Sequence, residues 1–143
     1  MTDAVILLVD DEAGFIEALA KRLSKRNMEV HKACDGESAL QRLDSRPGID
    51  VVVLDMKMPV RDGLSVLKDI RREHALVEVI MLTGYATVES AIEGMRSGAY
   101  DYLMKPCDLE ELTSRIQAAV SRKRRLERQA SELRIHGIAC SRV

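Results

Sequence analysis

The chain has 143 residues, the size of one ordinary domain, and its 22 basic and 23 acidic residues give a net charge of -1 at pH 7. Hydrophobic residues make up 46% and charged residues 31%, which is a globular balance and argues against a general binder of polyanions. No apolar run approaches the ~20 residues of a membrane span, and the first residues lack the pattern of a secretory signal, so we expect a cytoplasmic protein without a membrane partner. Three widely spaced cysteines suit a reducing compartment.

Five short segments predict β-strands. Residues 6–9, 51–54 and 79–82 are apolar runs rich in β-branched side chains, and weaker candidates lie at 29–33 and 100–104. Apolar residues recur at helical spacing between these segments. Strands that alternate with helices form βα units, and their right-handed crossovers place helices on both faces of a parallel sheet. We therefore predict a doubly wound α/β fold, with one domain over residues 1–120.

The last predicted helix continues beyond this domain. Asp108 and Glu111 have the spacing of a capping box at its start. A heptad pattern follows, with Lys123 as its one polar member and these apolar members: Leu109, Leu112, Ile116, Ala119, Leu126, Ala130 and Leu133. For residues 121–143 we weigh two alternatives, a linker or coiled coil that dimerises through Leu126 and Leu133, and a helix that frays after Val120 because a short projecting helix is marginal in water. Gly137 is a candidate end of the helix, and we expect a disordered tail.

A basic run lies within this helix. Its members are Arg122, Lys123, Arg124, Arg125 and Arg128. We interpret the run as a solvated helix face, because the chain as a whole lacks the positive balance of nucleic-acid binders. Nucleic acid is therefore not an expected partner of this chain itself.

Polar side chains follow four of the predicted strands. They are Asp10 and Asp11 after the first strand, Asp55 after the third, Thr83 after the fourth and Lys105 at the fifth. In an open parallel sheet the carboxyl ends of the strands meet at one crevice, where ligands bind. Three acids would repel one another there without a cation, and Mg²⁺ prefers carboxylate oxygens together with a phosphate. The combination predicts a carboxylate that attacks a phosphoryl group, assisted by an amine and a hydroxyl.

These residues resemble the receiver domains of two-component response regulators. The matching motifs are Val9-Asp10-Asp11-Glu12, Leu54-Asp55-Met56-Lys57-Met58-Pro59-x-x-Asp62-Gly63-Leu64, Met81-Leu82-Thr83-Gly84-Tyr85-Ala86, and Gly98-Ala99-Tyr100-Asp101-Tyr102-Leu103-x-Lys105-Pro106. The resemblance covers about residues 4–120. It implies a flavodoxin-like (βα)5 receiver fold with a five-stranded parallel sheet in the order 2-1-3-4-5.

The resemblance also implies roles for single residues. Asp55 would accept a phosphoryl group from a sensor histidine kinase or a phosphotransfer protein. Mg²⁺, or Mn²⁺ in its place, would bind Asp10, Asp11, Asp55 and the backbone carbonyl of Lys57. The phosphoryl group would contact Thr83, Lys105 and the backbones of Met56 and Gly84. Thr83 and Tyr102 would then switch together, with Tyr102 turning inward, and so remodel the face of the fourth helix, fifth strand and fifth helix for a downstream protein.

Two positions depart from the family pattern. Lys57, two residues after the acceptor, stands where family members vary, and we expect it to alter the lifetime of the phosphoryl group. Cys107 follows Lys-Pro where the family commonly has phenylalanine. A small buried thiol is a better interpretation of Cys107 than a redox site.

Three functions remain in view. The first is a stand-alone module whose protein-binding face is controlled by phosphorylation. The second is the receiver of an NtrC-like DNA-binding transcription activator whose output domains lie outside this chain, as the stretches at 83–91 and 100–103 indicate. The third, a magnesium-dependent phosphatase of the haloacid dehalogenase type, is disfavoured because Lys57 stands where its second acid is needed. We therefore expect no enzyme activity on outside substrates.

A homodimer is a further expectation, by either of two surfaces. One is the apolar stripe through Leu126 and Leu133. The other is a charged face on which residues would pair across a twofold axis: Arg96, Asp101, Glu111 and Arg115.

Overall fold

The computed structural model describes residues 3–84 and 86–135. Along these residues strands and helices alternate: β1 Val5–Val9, α1 Ala13–Ser24, β2 Glu29–Ala33, α2 Gly36–Ser45, β3 Val51–Leu54, α3 Gly63–Glu73, β4 Glu78–Thr83, α4 Val88–Arg96, β5 Asp101–Met104 and α5 Leu109–Ile135. The five predicted strands are confirmed, with ends that differ by at most one residue. The predicted helix end at Gly137 and the predicted disordered tail lie outside the described residues.

The five strands form one parallel sheet in the order β2-β1-β3-β4-β5, as the sequence resemblance implied. Alternate side chains of each strand point to opposite faces, so β1 sends Leu7 into one core and Ile6 and Leu8 into the other. Helices α2 and α3 cover the first core, and α1 and α5 cover the second. Because both faces are covered, β1, β3 and β4 are buried along their whole length.

Helix α5 runs without a break to Ile135, in contrast to the alternative in which it frays after Val120. The predicted capping box at its start is wrong. Asp108 accepts a hydrogen bond from the backbone of Glu110 at 3.4 Å, while the Glu111 carboxylate lies near Arg115 and the Cys107 thiol. Glu111 therefore uses its charge for a nearby cation instead of the backbone.

The basic run of α5 is partly buried, so the prediction of a solvated face is wrong for Lys123. This side chain is only 4% exposed, and its Nζ lies 3.2 Å from Asp50 Oδ1 and 2.7 Å from Glu127 Oε2. The run also contributes Arg122, which donates to Glu78 at 2.6 Å, and Arg124, which donates to Asp50 at 3.0 Å. The remaining members, Arg125 and Arg128, are exposed as predicted.

The pairing of Lys123 with Asp50 also explains why a lysine interrupts the apolar stripe. The stripe turns toward the body of the domain at this position, and a buried cation there meets a buried anion. Within the part of the chain that the structure describes, no helix has the length and apolar character of a membrane span.

Candidate functional site

Three carboxylates converge at the carboxyl ends of β1 and β3. One oxygen each of Asp10, Asp11 and Asp55 lies within 4.8 Å of the others. The strands are parallel neighbours in which Val9 pairs with Leu54, so the residues that follow them emerge side by side. Asp10 and Asp55 are almost fully buried, and Asp11 is exposed. The structure thus brings together the three acids that the sequence singled out.

Asp55 lies in an environment that opposes its ionisation. Burial raises the pKa of Asp55, and the neighbouring charge of Asp10 raises it further. Hydrogen bonds from Thr83 and the Lys57 backbone, and the charge of Lys105, act in the opposite direction but do not cancel the burial. An added cation would stabilise the ionised form. The donor set, which consists of carboxylate oxygens, matches the preference of Mg²⁺ for hard oxygen ligands.

Lys105 reaches the same crevice from the end of β5. Its Nζ donates to Asp10 Oδ2 at 2.6 Å and lies 3.5 Å from Glu12 Oε1. Burial acts to lower the pKa of Lys105, but the hydrogen bond with Asp10 and the surrounding carboxylates outweigh it and raise the pKa. The ammonium also sits 4.1 Å from the centre of the Phe15 ring, which favours the charged form. Lys105 is therefore a fixed positive charge at the mouth of the site.

Thr83 and Gly84 close the crevice at the end of β4. Thr83 is buried, and its side chain hydrogen-bonds to Asp55. Gly84 lies beside Lys105, since a Cβ added to Gly84 would stand 3.9 Å from Lys105 Cδ. Both residues are where the sequence placed them, and Thr83 already donates to the carboxylate of the predicted acceptor.

The loop between β3 and α3 folds tightly against Asp55. The Lys57 backbone N–H donates to the Asp55 carboxylate, and Gly63 N donates to Met56 O at 2.7 Å. A Cβ on Gly63 would lie 2.1 Å from the Asp55 carbonyl oxygen, so only glycine fits there. The sequence predicted a role for the Lys57 carbonyl, whereas the observed contact with Asp55 comes from the Lys57 N–H.

Sequence reasoning missed two residues of this site. Glu12 stands beside the Lys105 ammonium, and Phe15 packs its ring under it. Glu12 was visible in the acidic run after β1 but received no role. Phe15 showed only the spacing of a helix core residue, so its contact with Lys105 could not be expected.

Tyr102 lies on β5 against α4. Its hydroxyl is hydrogen-bonded to Ser90 Oγ at 2.8 Å, and a Cβ on Gly94 would stand 3.3 Å from the Tyr102 ring. Ser90 is itself part of a capping box with Thr87, which the sequence did not reveal because serine replaces the usual Glu or Gln. Tyr102 is therefore connected to the N-terminal turn of the helix that follows Thr83.

The charged residues of the predicted dimer face pair within the chain. Arg115 bonds to Asp101 and lies 4.0 Å from Glu111, while Arg96 is exposed. On the extension of α5, Leu126 is half-buried and Leu133 is 41% exposed. Three of the four charged residues, Asp101, Glu111 and Arg115, thus have partners within the chain, and Leu133 is exposed to solvent.

Cys107 is partly buried beside the start of α5. Burial raises the pKa of its thiol, and the Glu111 carboxylate, 3.6 Å from Sγ, raises it further. A raised pKa lowers the thiolate fraction and with it the reactivity. Cys107 is partly exposed instead of buried as predicted, and its environment disfavours the thiolate.

The sequence profile of the response regulator receiver domain matches residues 6–117. The chain belongs to this family. It is 41% identical over 116 residues to the regulatory protein AtoC of Escherichia coli, covering 80% of this chain and 25% of AtoC. It is 37% identical over 127 residues to the transcriptional regulatory protein TrcR of Mycobacterium tuberculosis, covering 89% of this chain and 49% of TrcR.

Solved structures give the same assignment. A response regulator receiver domain from Clostridium thermocellum is 35% identical, with a TM-score of 0.82, and covers 86% of this chain and 98% of that one. NtrX from Brucella abortus, solved in complex with ADP, is 33% identical with a TM-score of 0.83, and covers 92% of this chain and 30% of NtrX. The likeness to AtoC and NtrX supports the NtrC-like receiver subclass. The chain spans between a quarter and about half of the length of these curated relatives.

Proposed function

We propose that this receiver domain accepts a phosphoryl group on Asp55 from a sensor histidine kinase or a phosphotransfer protein, and that this event changes a protein-binding face. The observation that carries the proposal is the convergence of Asp10, Asp11 and Asp55 with Lys105 and Thr83 at one end of the sheet. Two of these acids are buried, and Lys105 and Thr83 already contact them. A location in the cytoplasm, which is typical for the family, is part of this proposal.

Receiver domains typically bind Mg²⁺ at an acidic pocket, and the residues here fit such an ion. The carboxylates of Asp10, Asp11 and Asp55 and the backbone carbonyl of Lys57 would hold it, and Mn²⁺ would serve in its place. The bound ion would neutralise the negative charge that builds up when a phosphoryl group meets an aspartate.

In the transfer step an Asp55 carboxylate oxygen attacks the phosphorus. A P–O bond forms at Asp55 as the P–N bond to the donor histidine breaks, and the bonding electrons leave on the imidazole nitrogen. The Lys105 ammonium and the Thr83 hydroxyl would donate to the phosphoryl oxygens, together with the backbone N–H groups of Met56 and Gly84. Attack by water on the phosphorus later releases inorganic phosphate and restores Asp55.

The proposed domain has no outside substrate in this cycle. Receiver domains of response regulators are generally not classical enzymes. Lys57 also occupies the place where a phosphatase with an aspartyl nucleophile needs its acid, which agrees with a phosphoacceptor that only loses its own phosphoryl group.

The proposed switch joins Thr83 to Tyr102. The two lie on neighbouring strands, where Met81 pairs with Tyr102 and Thr83 pairs with Met104. When Thr83 turns toward the phosphoryl group, the space behind it opens for the Tyr102 ring, which must then give up its hydrogen bond with Ser90. The face that changes carries exposed apolar residues of α4 and β5, namely Val88, Ile92, Met95 and Met104. A downstream protein or an output domain would bind there.

A second form of the proposal is supported by the lengths of the relatives. The chain spans 49% of TrcR, which is named as a transcriptional regulatory protein, and only 25% of the regulatory protein AtoC and 30% of NtrX. It would therefore serve as the regulatory receiver of an NtrC-like, DNA-binding activator. Helix α5 would then be the linker to the output domains, and a homodimer would form along its stripe through Leu126 and Leu133. The charged face of Arg96, Asp101, Glu111 and Arg115 is the weaker dimer surface, since all but Arg96 have partners within the chain.

The first experiment is intact mass after incubation with acetyl phosphate and Mg²⁺. One phosphoryl group adds about 80 Da, and the gain should require both the ion and Asp55. Asp55→Asn is the matched variant and should gain no mass. A wild-type protein that is folded and binds Mg²⁺ but gains no mass would contradict the proposed phosphotransfer.

The dimer is tested separately by light scattering. A chain that ends after Arg125 keeps the ion pairs of Arg122, Lys123 and Arg124 with the domain and loses the stripe. We expect a dimer of the whole chain to become a monomer in this variant. An unchanged dimer would place the contact elsewhere on the domain.

The lifetime of the phosphoryl group is tested with Lys57→Asn. The Lys57 side chain is exposed, and it follows the proposed acceptor by two residues. Its charge would affect the attacking water. We expect a different rate of phosphate release in the variant, measured by loss of the added mass over time. Equal rates would remove the proposed role of Lys57.

A further inference from the structure

The loop between β3 and α3 carries Lys57, and hydrogen bonds hold it near both of its ends. Gly63 N donates to Met56 O at 2.7 Å, and the Asp62 side chain caps α3 by accepting from Ser65 N at 2.9 Å. Between these anchors Met58 is buried. The loop that would present the Lys57 carbonyl to a cation is thus a compact segment.

The centre of this loop is strained. Val60 has a φ of +70°, and Arg61 N donates to Pro59 O at 2.8 Å, which together define a classic γ-turn. A positive φ is a genuine outlier for a β-branched residue. The Val60 side chain is fully exposed, so no packing of its own holds it in this conformation. The turn must be held by its neighbours.

Arg61, the residue after Val60, is bonded to neighbouring helices. Its guanidinium donates to Ser65 Oγ at 2.9 Å, to Ser65 O at 3.1 Å and to Asp69 Oδ2 at 2.5 Å, which are all on α3. A further donor reaches Glu37 of α2 at 2.9 Å. The side chain that follows the strained residue is therefore fastened to two helices at once.

We propose that Arg61 is a positioning residue for the metal site: its contacts with α2 and α3 hold the strained turn at Val60 and thereby fix the loop that presents Lys57. This inference rests on the proposed function, because it assumes that the Lys57 carbonyl is a metal ligand. Without Arg61 the turn relaxes toward negative φ, and the loop loses the geometry that the cation requires.

The direction in which Mg²⁺ affinity changes on removal of Arg61 distinguishes a positioning role from a purely electrostatic one. Arg61 is a cation near a site for a cation, so its removal by Coulomb's law alone would strengthen Mg²⁺ binding. Loss of a positioning contact has the opposite effect, since removing an outer-shell partner typically weakens metal binding by about 10–100-fold. A weakened site in Arg61→Ala therefore reports on geometry.

The test measures Mg²⁺ affinity by titration of backbone amide NMR shifts, together with amide hydrogen exchange in the absence of the ion. We expect Arg61→Ala to raise the Kd for Mg²⁺ about tenfold and to speed hydrogen exchange of the backbone amides at positions 61 and 63. Arg61→Lys, which keeps the charge but not the planar fork, should fall between wild type and Arg61→Ala. The matched control is Arg72→Ala: it removes another arginine from Asp69, at 2.8 Å, but has no contact with the loop among those the structure describes.

A second substitution tests the turn itself. Glycine populates positive φ about as readily as negative φ, so Val60→Gly should need the anchor less. We expect Val60→Gly alone to bind Mg²⁺ like wild type, and Val60→Gly in the Arg61→Ala background to recover most of the lost affinity. Recovery is not expected if Arg61 acts only on overall stability.

The outcomes are distinct. Arg61→Ala with wild-type affinity and wild-type exchange overturns the inference and leaves the proposed metal site intact. Weakened binding that Val60→Gly does not restore also overturns it, because the strained turn is then not the link. A wild-type protein that does not bind Mg²⁺ overturns the proposed metal site and this inference with it.

Discussion

Asp50 and Asp55 flank the same strand, β3, at its opposite ends, and both side chains are buried. Asp55 belongs to the acidic crevice, whereas Asp50 accepts from the Val5 backbone at 2.9 Å and pairs with Lys123 and Arg124 of α5. The neighbouring strand repeats the arrangement, with Thr83 at the crevice and Glu78 bonded to Arg122. The two strands that carry the proposed acceptor and switch thus also hold the extension of α5.

The buried ion pair predicts a large loss of stability in Asp50→Asn. Among the residues that the structure describes, Glu127 is then the remaining ion-pair partner of the buried Lys123, and breaking such a pair costs about 3 kcal/mol of the free energy of unfolding. Urea unfolding measures it. Arg125→Ala, at an exposed arginine of the same run, should change stability by less than about 0.5 kcal/mol. Asp50→Asn with Lys123→Met should lose less than the sum of the two single changes, and strict additivity would show that the pair is not coupled.

Two glycines should respond to alanine in opposite directions. Gly63→Ala brings a Cβ to 2.1 Å from the Asp55 carbonyl oxygen, so the loop must move, at a cost of about 3 kcal/mol of stability. Gly14 is exposed in α1, and apart from its chain neighbours and the nearby backbone of the helix no heavy atom of the described residues lies within 4 Å of an added Cβ. Gly14→Ala should therefore stabilise the fold by up to about 1 kcal/mol. Thermal unfolding of both variants checks this. A tolerated alanine at Gly63 would disprove the tight closure of the loop.

Asp55→Asn should stabilise the metal-free protein at neutral pH. Because burial raises the folded-state pKa of Asp55, the folded protein holds this proton more tightly than the unfolded chain. Its ionisation therefore costs stability above the raised pKa, and the cost vanishes as the pH falls to the ordinary value of 3.8. The urea midpoint of Asp55→Asn should exceed that of wild type at neutral pH, and this difference should shrink as the pH falls to 3.8. At neutral pH, added Mg²⁺ should reduce the same difference.

The control for this pH dependence is Asp35→Asn at the start of α2. Hydrogen bonding to the Ser38 backbone lowers the pKa of Asp35, so its charge stabilises the fold above 3.8 and the benefit is lost as the pH falls through the lowered pKa. As the pH falls, the urea midpoint relative to wild type should decrease for Asp55→Asn and increase for Asp35→Asn. Parallel trends would mean that the raised pKa of Asp55 does not govern the difference.

Lys105→Met should separate metal binding from phosphoryl transfer. The Lys105 ammonium donates to Asp10 Oδ2 at 2.6 Å and would repel a bound Mg²⁺ ion. Its loss should therefore tighten Mg²⁺ binding by about tenfold. Loss of a donor to the transferring group should slow labelling by acetyl phosphate by about 100-fold. Lys32→Met, at a lysine of β2 paired with Glu17 instead of the crevice, should leave both quantities unchanged. Equal labelling rates in Lys105→Met and wild type would contradict the role given to Lys105.

Much of this fold could be predicted because its signals are local. The apolar runs of β1, β3 and β4 are unbroken because these strands are buried on both faces. Asp10 and Asp11 follow β1, Asp55 follows β3, Thr83 ends β4 and Lys105 follows β5. Parallel strands bring such ends together whatever the details of packing, so adjacency in the sequence was enough to place the acceptor and its neighbours in one crevice.

The local sequence could not predict which charged side chains are buried or which partners they have. Arg61 and Lys123 are ordinary surface residues by their local sequence, and their roles depend on Asp69 and Asp50, which only the packing of helices and strands brings near. The positive φ of Val60 is likewise invisible in a sequence where glycine would be expected. Periodicity and strand ends decide the fold class and the composition of the site, because they depend on neighbours along the chain. Tertiary packing decides which charges are buried and which turns are held under strain, because both depend on groups far apart in the sequence.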